Sequence, residues 1–158
     1  MDERKKFALL RIAFGIVWLI DAWFKWQPQF ISGFTGYLTN ALENQPSFLQ
    51  IWINAWIRLV SGAPAFFAYT VAILETLIAL SLIFGLFTRY VIYGGIFLSL
   101  VIWSVPQGFG GPYRPGSTDI GAGIIYVFVF AALLIGKSWE RLSLEAWFRK
   151  RRVISVAR

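Results

Sequence analysis

Cysteine and histidine are both missing from these 158 residues, and Met1 is the only methionine. Iron–sulfur clusters are held by thiolates or imidazoles, and haem is usually held by His, Met, Cys or Tyr. Soft copper sites need thiolate or thioether ligands. No haem, no iron–sulfur cluster and no other metal centre is therefore expected in this chain. Disulfides, thiol nucleophiles and imidazole bases are excluded outright. A redox role would have to use an organic carrier or a group held by a partner chain.

Charge is also scarce. Charged residues make up 15% of the chain, against 58% hydrophobic and 18% aromatic. Globular domains are about half apolar and a quarter charged. The few charges gather towards the ends, where a soluble chain would spread them over its surface. The net charge of +7 does not indicate a nucleic-acid partner. Its basic clusters, Arg4–Lys6 and Arg149–Arg152, flank apolar runs, where anionic lipid headgroups and the bias of basic residues towards the cytoplasm would place them.

Four apolar segments can be drawn, at about 7–26, 65–87, 90–105 and 119–135. A transmembrane helix needs about 20 residues, with about 17 as the usual lower bound. The first two segments pass this test and the last two are borderline. Strand-like alternation is absent, so a barrel is excluded and helices remain. The expected fold is an all-α integral membrane protein: a four-transmembrane-helix bundle in a single domain over 1–158. The first segment resembles a signal peptide only in its basic start. Its apolar run is too long and ends in Trp23, Phe24 and Trp26, so a retained anchor is expected.

Orientation follows from the basic residues. With the N-terminus in the cytoplasm, twelve face inside: Arg4, Lys5, Lys6, Arg11, Arg89, Lys137, Arg141, Arg149, Lys150, Arg151, Arg152 and Arg158. Lys25, Arg58 and Arg114 lie at or beyond the outer face. A multi-pass protein of the inner (cytoplasmic) membrane with both termini cytoplasmic is expected.

Two amphipathic stretches lie outside the spans. In residues 47–60, Gln50, Asn54 and Arg58 recur every four residues on an otherwise apolar helix, started by Pro46 and Ser47 and stopped by Gly62 and Pro64. It is too short to span and is expected in the outer interface, with Trp52 and Trp56 at headgroup level. It anchors the chain or caps the outer mouth of the bundle. Residues 138–149 form a shorter cytoplasmic counterpart, in which Glu145 and Arg149 have the spacing of a helical ion pair.

Ionisable groups inside the spans are costly and usually functional. Arg11 falls near the inner edge, where it can snorkel to headgroups, and Arg89 at the inner turn is a second structural charge. Asp21 falls in the outer half and Lys25 near the outer boundary. Four residues apart, they share a helix face and can pair. Glu75 lies about 15 Å into the second span, near the midplane, where its short side chain cannot snorkel. It either holds helices together through a hydrogen bond or serves a ligand.

The stretch 106–123 is rich in glycine and proline. It is either a tight re-entrant turn or a binding loop that brings Tyr113 and Arg114 over the outer end. Ser117 or Thr118 is a natural cap for the fourth helix, with Asp119 in its first turn. Gly94, Gly95, Gly121 and Gly123 suit close helix contacts. Gly108-Phe-Gly-Gly lacks the spacing and the preceding strand of a nucleotide fingerprint. Asp21, Lys25, Glu75, Tyr113, Arg114, Asp119 and Tyr126 are the candidate ligand-binding residues. With Trp18 and Trp103 nearby, they would line a small-molecule site in the outer half.

Several features occur together: Arg11 and Gly15 in the first span, Glu75 within the second, Gly85-Leu-Phe-Thr-Arg89 at the inner turn, and "GFGGPYRPGSTDIG" before the fourth. In this combination the chain resembles the DoxX/DoxD-like small membrane proteins, most closely the DoxD-like branch, over roughly Phe7 to Ile135. The resemblance implies a four-helix membrane bundle. It also implies a subunit of a thiosulfate:quinone oxidoreductase, in which DoxD pairs with a second subunit, DoxA. The chain holds no separate DoxA-like domain, so such a partner would be another polypeptide. On this view the quinone is the cofactor and a small sulfur anion the donor. Lys25 and Arg114 would attract the anion, and Glu75 or Asp119 would handle protons. Two other roles remain open: a non-catalytic anchor or assembly subunit, and a small-solute or proton pathway through Glu75.

Overall fold

The computed structural model of the chain describes residues 2–111 and 119–156, with side chains as far as Lys150. Among these residues the fold is all helical. Helix α1 runs Glu3–Lys25 and is capped by Asp2, whose carboxylate accepts the Arg4 backbone N–H at 3.3 Å. That N–H bond holds the Asp2 carboxyl below its ordinary pKa, and Arg141 and Arg4 add to the effect. Helix α4 spans Pro64–Phe84. These two are long and apolar enough to cross a membrane. Helices α5 (Thr88–Ser104) and α6 (Ala122–Ile135) are apolar but shorter.

The amphipathic stretch forms α3, Ser47–Ser61, as the Pro46 and Gly62 signals indicated. A further helix, α2 (Pro28–Asn40), occupies a stretch for which the sequence suggested no helix. Gly33, Gly36, Ser32, Thr35 and Thr39 give it little intrinsic helix preference. Pro28 at its first position starts it, and packing on α3 and α4 sustains it.

Helix α1 packs along α4, and α5 along α6. The α1–α4 approach is close because Gly15 lies on Ile83: a Cβ at Gly15 would come within 2.9 Å of Ile83 Cγ1. The α5–α6 approach depends on Gly95, which faces the Phe130 ring, and on Gly123, where a Cβ would sit 2.8 Å from Trp103 Cβ. Gly94 has no such neighbour, so its expected packing role is not met. One buried cluster gathers Phe14, Trp18, Ile78, Leu82, Ile92, Phe130 and Leu133. A second, nearer α2 and α3, gathers Leu38, Val60 and Val105. Phe66, Phe97 and Phe128 are each about two-thirds exposed, an apolar exterior that suits lipid. Gly95→Ala is expected to destabilise the protein by about 1–3 kcal/mol through overpacking. Unfolding in mixed detergent micelles measures this.

The turn from α4 to α5 needs Gly85, whose φ of 69° is left-handed. Its N–H and that of Leu86 both bond back to the Ser81 carbonyl, at 2.8 and 3.2 Å. The C-terminal segment folds against this turn. Its regular helix α7, Leu144–Val156, starts later than the expected residue 138. Residues 138–140 form only a 3₁₀ turn, and Leu142 takes a left-handed φ of 47°. Arg141 bonds Asp2 at 3.3 Å, and Arg4 pairs with Glu140. Glu145 does not make the expected pair with Arg149. Its carboxylate instead accepts the Thr88 N–H at 3.1 Å, capping α5 where the chain has orphan donors.

Arg11 also departs from expectation. It does not snorkel: its side chain is 0% exposed, and Nη2 donates to the Leu142 carbonyl at 2.6 Å. Burial follows because the C-terminal segment closes over it. Arg89, in contrast, is exposed in the first turn of α5.

Candidate functional site

Antiparallel packing of α1 on α4 brings the end of one helix to the middle of the other. Lys25 closes α1, and Glu75 lies eleven residues after Pro64, about 16 Å along α4. Their charged groups approach to 3.4 Å. Lys25 therefore does not pair with Asp21. It turns inward to Glu75, while its Nζ also stands 5.5 Å from the Phe30 ring centroid, a cation–π distance. Glu75 is 2% exposed, and its Oε2 makes no well-formed hydrogen bond. The contact between Lys25 Nζ and Glu75 Oε2 is thus one of charge.

Asp21 takes a different partner. The Tyr126 hydroxyl of α6 donates to Asp21 Oδ2 at 2.9 Å. The Tyr126 ring lies on Phe14 and Trp18, with centroids 5.3 and 5.7 Å away. Aromatic packing thus fixes the hydroxyl, and the Asp21 carboxylate adds to the negative field at Glu75.

Beside Lys25 and Glu75 opens a cavity of about 600 Å³, within the range of small-ligand sites. Its walls come from five helices: Phe24 of α1, Phe30, Phe34 and Tyr37 of α2, Trp56 and Val60 of α3, Phe67 and Val71 of α4, and Leu98, Val101 and Ile102 of α5. The lining is mainly apolar and aromatic. Its polar members are Lys25, Glu75, Gln27, Gln29, Tyr37 and Gln107. Trp56 lines the cavity, while Trp52 on the same helix is exposed.

Of the residues singled out from sequence, Lys25 and Glu75 line this cavity, and Asp21 with Tyr126 forms the adjoining hydrogen bond. Asp119 stands apart. It precedes α6, which starts at Ala122, and its carboxylate accepts the Gly121 N–H at 2.7 Å as a turn contact. Trp103 also faces away: its indole N–H donates to the Ile120 carbonyl at 2.8 Å. Tyr113, Arg114, Ser117 and Thr118 lie outside the described residues. Gln107 was not foreseen. It lines the cavity, and its Oε1 accepts the Gly123 N–H at 3.0 Å, tying the cavity wall to the start of α6. Gln45, also unforeseen, donates to the Gly108 carbonyl at 3.2 Å and fixes the loop after α5. An isolated glutamine carries no sequence signal that marks it for such a place.

No group of three or more acidic residues among the described residues is placed to hold a metal ion. Fold and site together define a small all-helical membrane protein with a ligand-sized cavity lined by the Lys25–Glu75 ion pair, of which Glu75 is buried. The sequence matches the DoxX family over residues 7–107, and the chain belongs to that family. No curated protein matches it, and no solved structure does.

Proposed function

We propose that the chain is a four-span membrane subunit of a quinone-linked oxidoreductase, and that the cavity beneath α2 and α3 receives the quinone head. The observation that carries this reading is the Lys25–Glu75 pair on the wall of an aromatic cavity. The residues fit such a group. Lys25 Nζ is a donor for a ring carbonyl, the Glu75 carboxyl beside it can exchange a hydrogen bond with a ring hydroxyl, and Phe30, Phe34 and Trp56 supply flat apolar walls. A quinone, when bound, takes up two electrons and two protons to become a quinol. Among the described residues Glu75 is the one acid on the cavity wall, and so the group placed to exchange a proton there. Lys25 holds that acid in place and orients the carbonyl. The aromatic walls exclude water.

Electrons must come from elsewhere, because the chain lacks the Cys and His that would hold a metal centre. A partner subunit, as in the DoxD–DoxA pairing, would deliver them from a small sulfur anion such as thiosulfate. Helices α5 and α6 supply the third and fourth spans. The short α6 is completed by Ile120 and Gly121, non-helical backbone whose polar groups are met by Trp103 and Asp119. Both termini lie in the cytoplasm of a cell whose inner membrane the chain crosses, on the split of basic residues. The chain has no native Cys, so Asn44→Cys should label from outside intact cells. Arg149→Cys should label only after permeabilisation. The reverse pattern would overturn the orientation.

A short-chain quinone titrated into purified protein tests the site. It should quench tryptophan fluorescence, and Trp56→Phe should remove a large part of that quenching. Val71→Phe, which fills the cavity and leaves the ion pair intact, should abolish it. If quinone neither binds nor co-purifies while partner chains do, the chain is an anchor or assembly subunit.

A further inference from the structure

A second recess lies at the opposite end of the helices, where both termini gather, and the cavity chemistry does not involve it. It is a groove of about 540 Å³ between the end of α4 and the C-terminal segment. Ile83 and Phe84, the last two residues of α4, form one apolar wall, and Leu144 and Trp147 another. Arg141 and Lys150 stand at its rim. Glu140 also lines it, but pairs with Arg4, and Arg141 is bonded to Asp2 at 3.3 Å with both side chains nearly half exposed. Lys150 is exposed and forms none of these pairs.

A buried cation lies behind this groove. Arg11 donates to the carbonyl of Leu142, a lining residue, and its Nε and Nη1 have no hydrogen-bond partner. Glu145 offsets part of this charge while its Oε1 is bonded to Thr88. The groove thus has an apolar floor and a cationic rim and back wall. With α4 read as a span, its last residues mark the edge of the hydrocarbon, and the rim stands one step outward, at headgroup depth. Trp147, 45% exposed at that level, is the residue type enriched there.

The geometry points to a binding site for an anionic phospholipid, with its phosphate between Arg141 and Lys150 and its acyl chain along Ile83 and Phe84. A soluble phosphate would have no use for the apolar walls, and a zwitterionic lipid would gain little from the cations. The site is independent of what occupies the cavity beneath α2 and α3.

The test is the unfolding midpoint of the full chain in detergent, read on adding phosphatidylglycerol, phosphatidylcholine or inorganic phosphate. Phosphatidylglycerol should raise the midpoint by several degrees, and the other two should leave it unchanged. Lys150→Glu, which breaks no internal pair, should remove that rise without lowering the starting midpoint. Arg89→Glu, an exposed cation at the same end of the helices, should keep it. The inference is overturned if phosphatidylcholine or inorganic phosphate raises the midpoint equally. It is also overturned if Lys150→Glu keeps the rise, or if Arg89→Glu loses it as fully, which would indicate a diffuse field in place of a site.

Discussion

Lys25→Ala should destabilise the protein by about 2–3 kcal/mol, below the ~3–5 kcal/mol of a fully buried ion pair because the Lys25 side chain is a quarter exposed. The reason is Glu75, which is 2% exposed and has Lys25 as its ion-pair partner at 3.4 Å. The double variant Lys25→Met/Glu75→Leu should regain most of that loss, because apolar side chains of similar size can replace a buried pair at little cost. It should not regain quinone binding. Glu75→Gln should fold, since an amide still hydrogen-bonds, but should slow turnover with any partner that delivers electrons. Unfolding in mixed micelles and quinone titration on the same four proteins separate the stability of the pair from its use. A double variant that is stable and still binds quinone normally would mean that the pair only holds helices together.

Arg11→Leu should loosen the other end of the molecule. It removes a charged hydrogen bond to the Leu142 carbonyl, worth about 1.5–3 kcal/mol. The effect should be local, because the C-terminal segment is held by a few polar ties: Arg11 to Leu142, Glu145 to Thr88, Arg4 to Glu140 and Arg141 to Asp2. Weakening one of them by that amount should raise the opening of the segment by about 10- to 150-fold. Limited proteolysis after Arg141 or Lys150 reads this directly. Cleavage at the parent rate would show that Arg11 does not hold the segment down.

Some of this molecule was legible from sequence because it is written in local signals. Pro46 and Gly62 bound α3 as expected, the apolar runs locate α1 and α4, and a glutamate in the middle of an apolar helix had to be buried. The partners of the charges were not legible. Spacing alone suggested Asp21 for Lys25 and Arg149 for Glu145, each four residues away. In the fold both prefer partners brought by another part of the chain, Glu75 and the Thr88 N–H. Arg11 followed the same pattern: near a helix end it could snorkel, but residues more than a hundred positions later close over it. Helix α2 carries little sequence signal because glycine, serine and threonine dilute its pattern, and the same holds for Phe30, Phe34 and Tyr37 of the cavity wall. Lys25 and Glu75, expected at one site, do line one cavity, whose walls also include Trp56, Gln107 and residues of α2; residues 113–118 of the loop expected to close it lie outside the described residues.

The most direct test of the cavity as a quinone site is photo-crosslinking with an azido-quinone, followed by peptide mapping. Adducts should fall on the cavity wall, at Phe30, Phe34, Val71 or Val101, and an excess of unlabelled short-chain quinone should suppress them. Adducts confined to outward-facing residues such as Phe97 and Phe128, and unaffected by competitor, would show that quinone meets this protein only as a solute of the surrounding lipid.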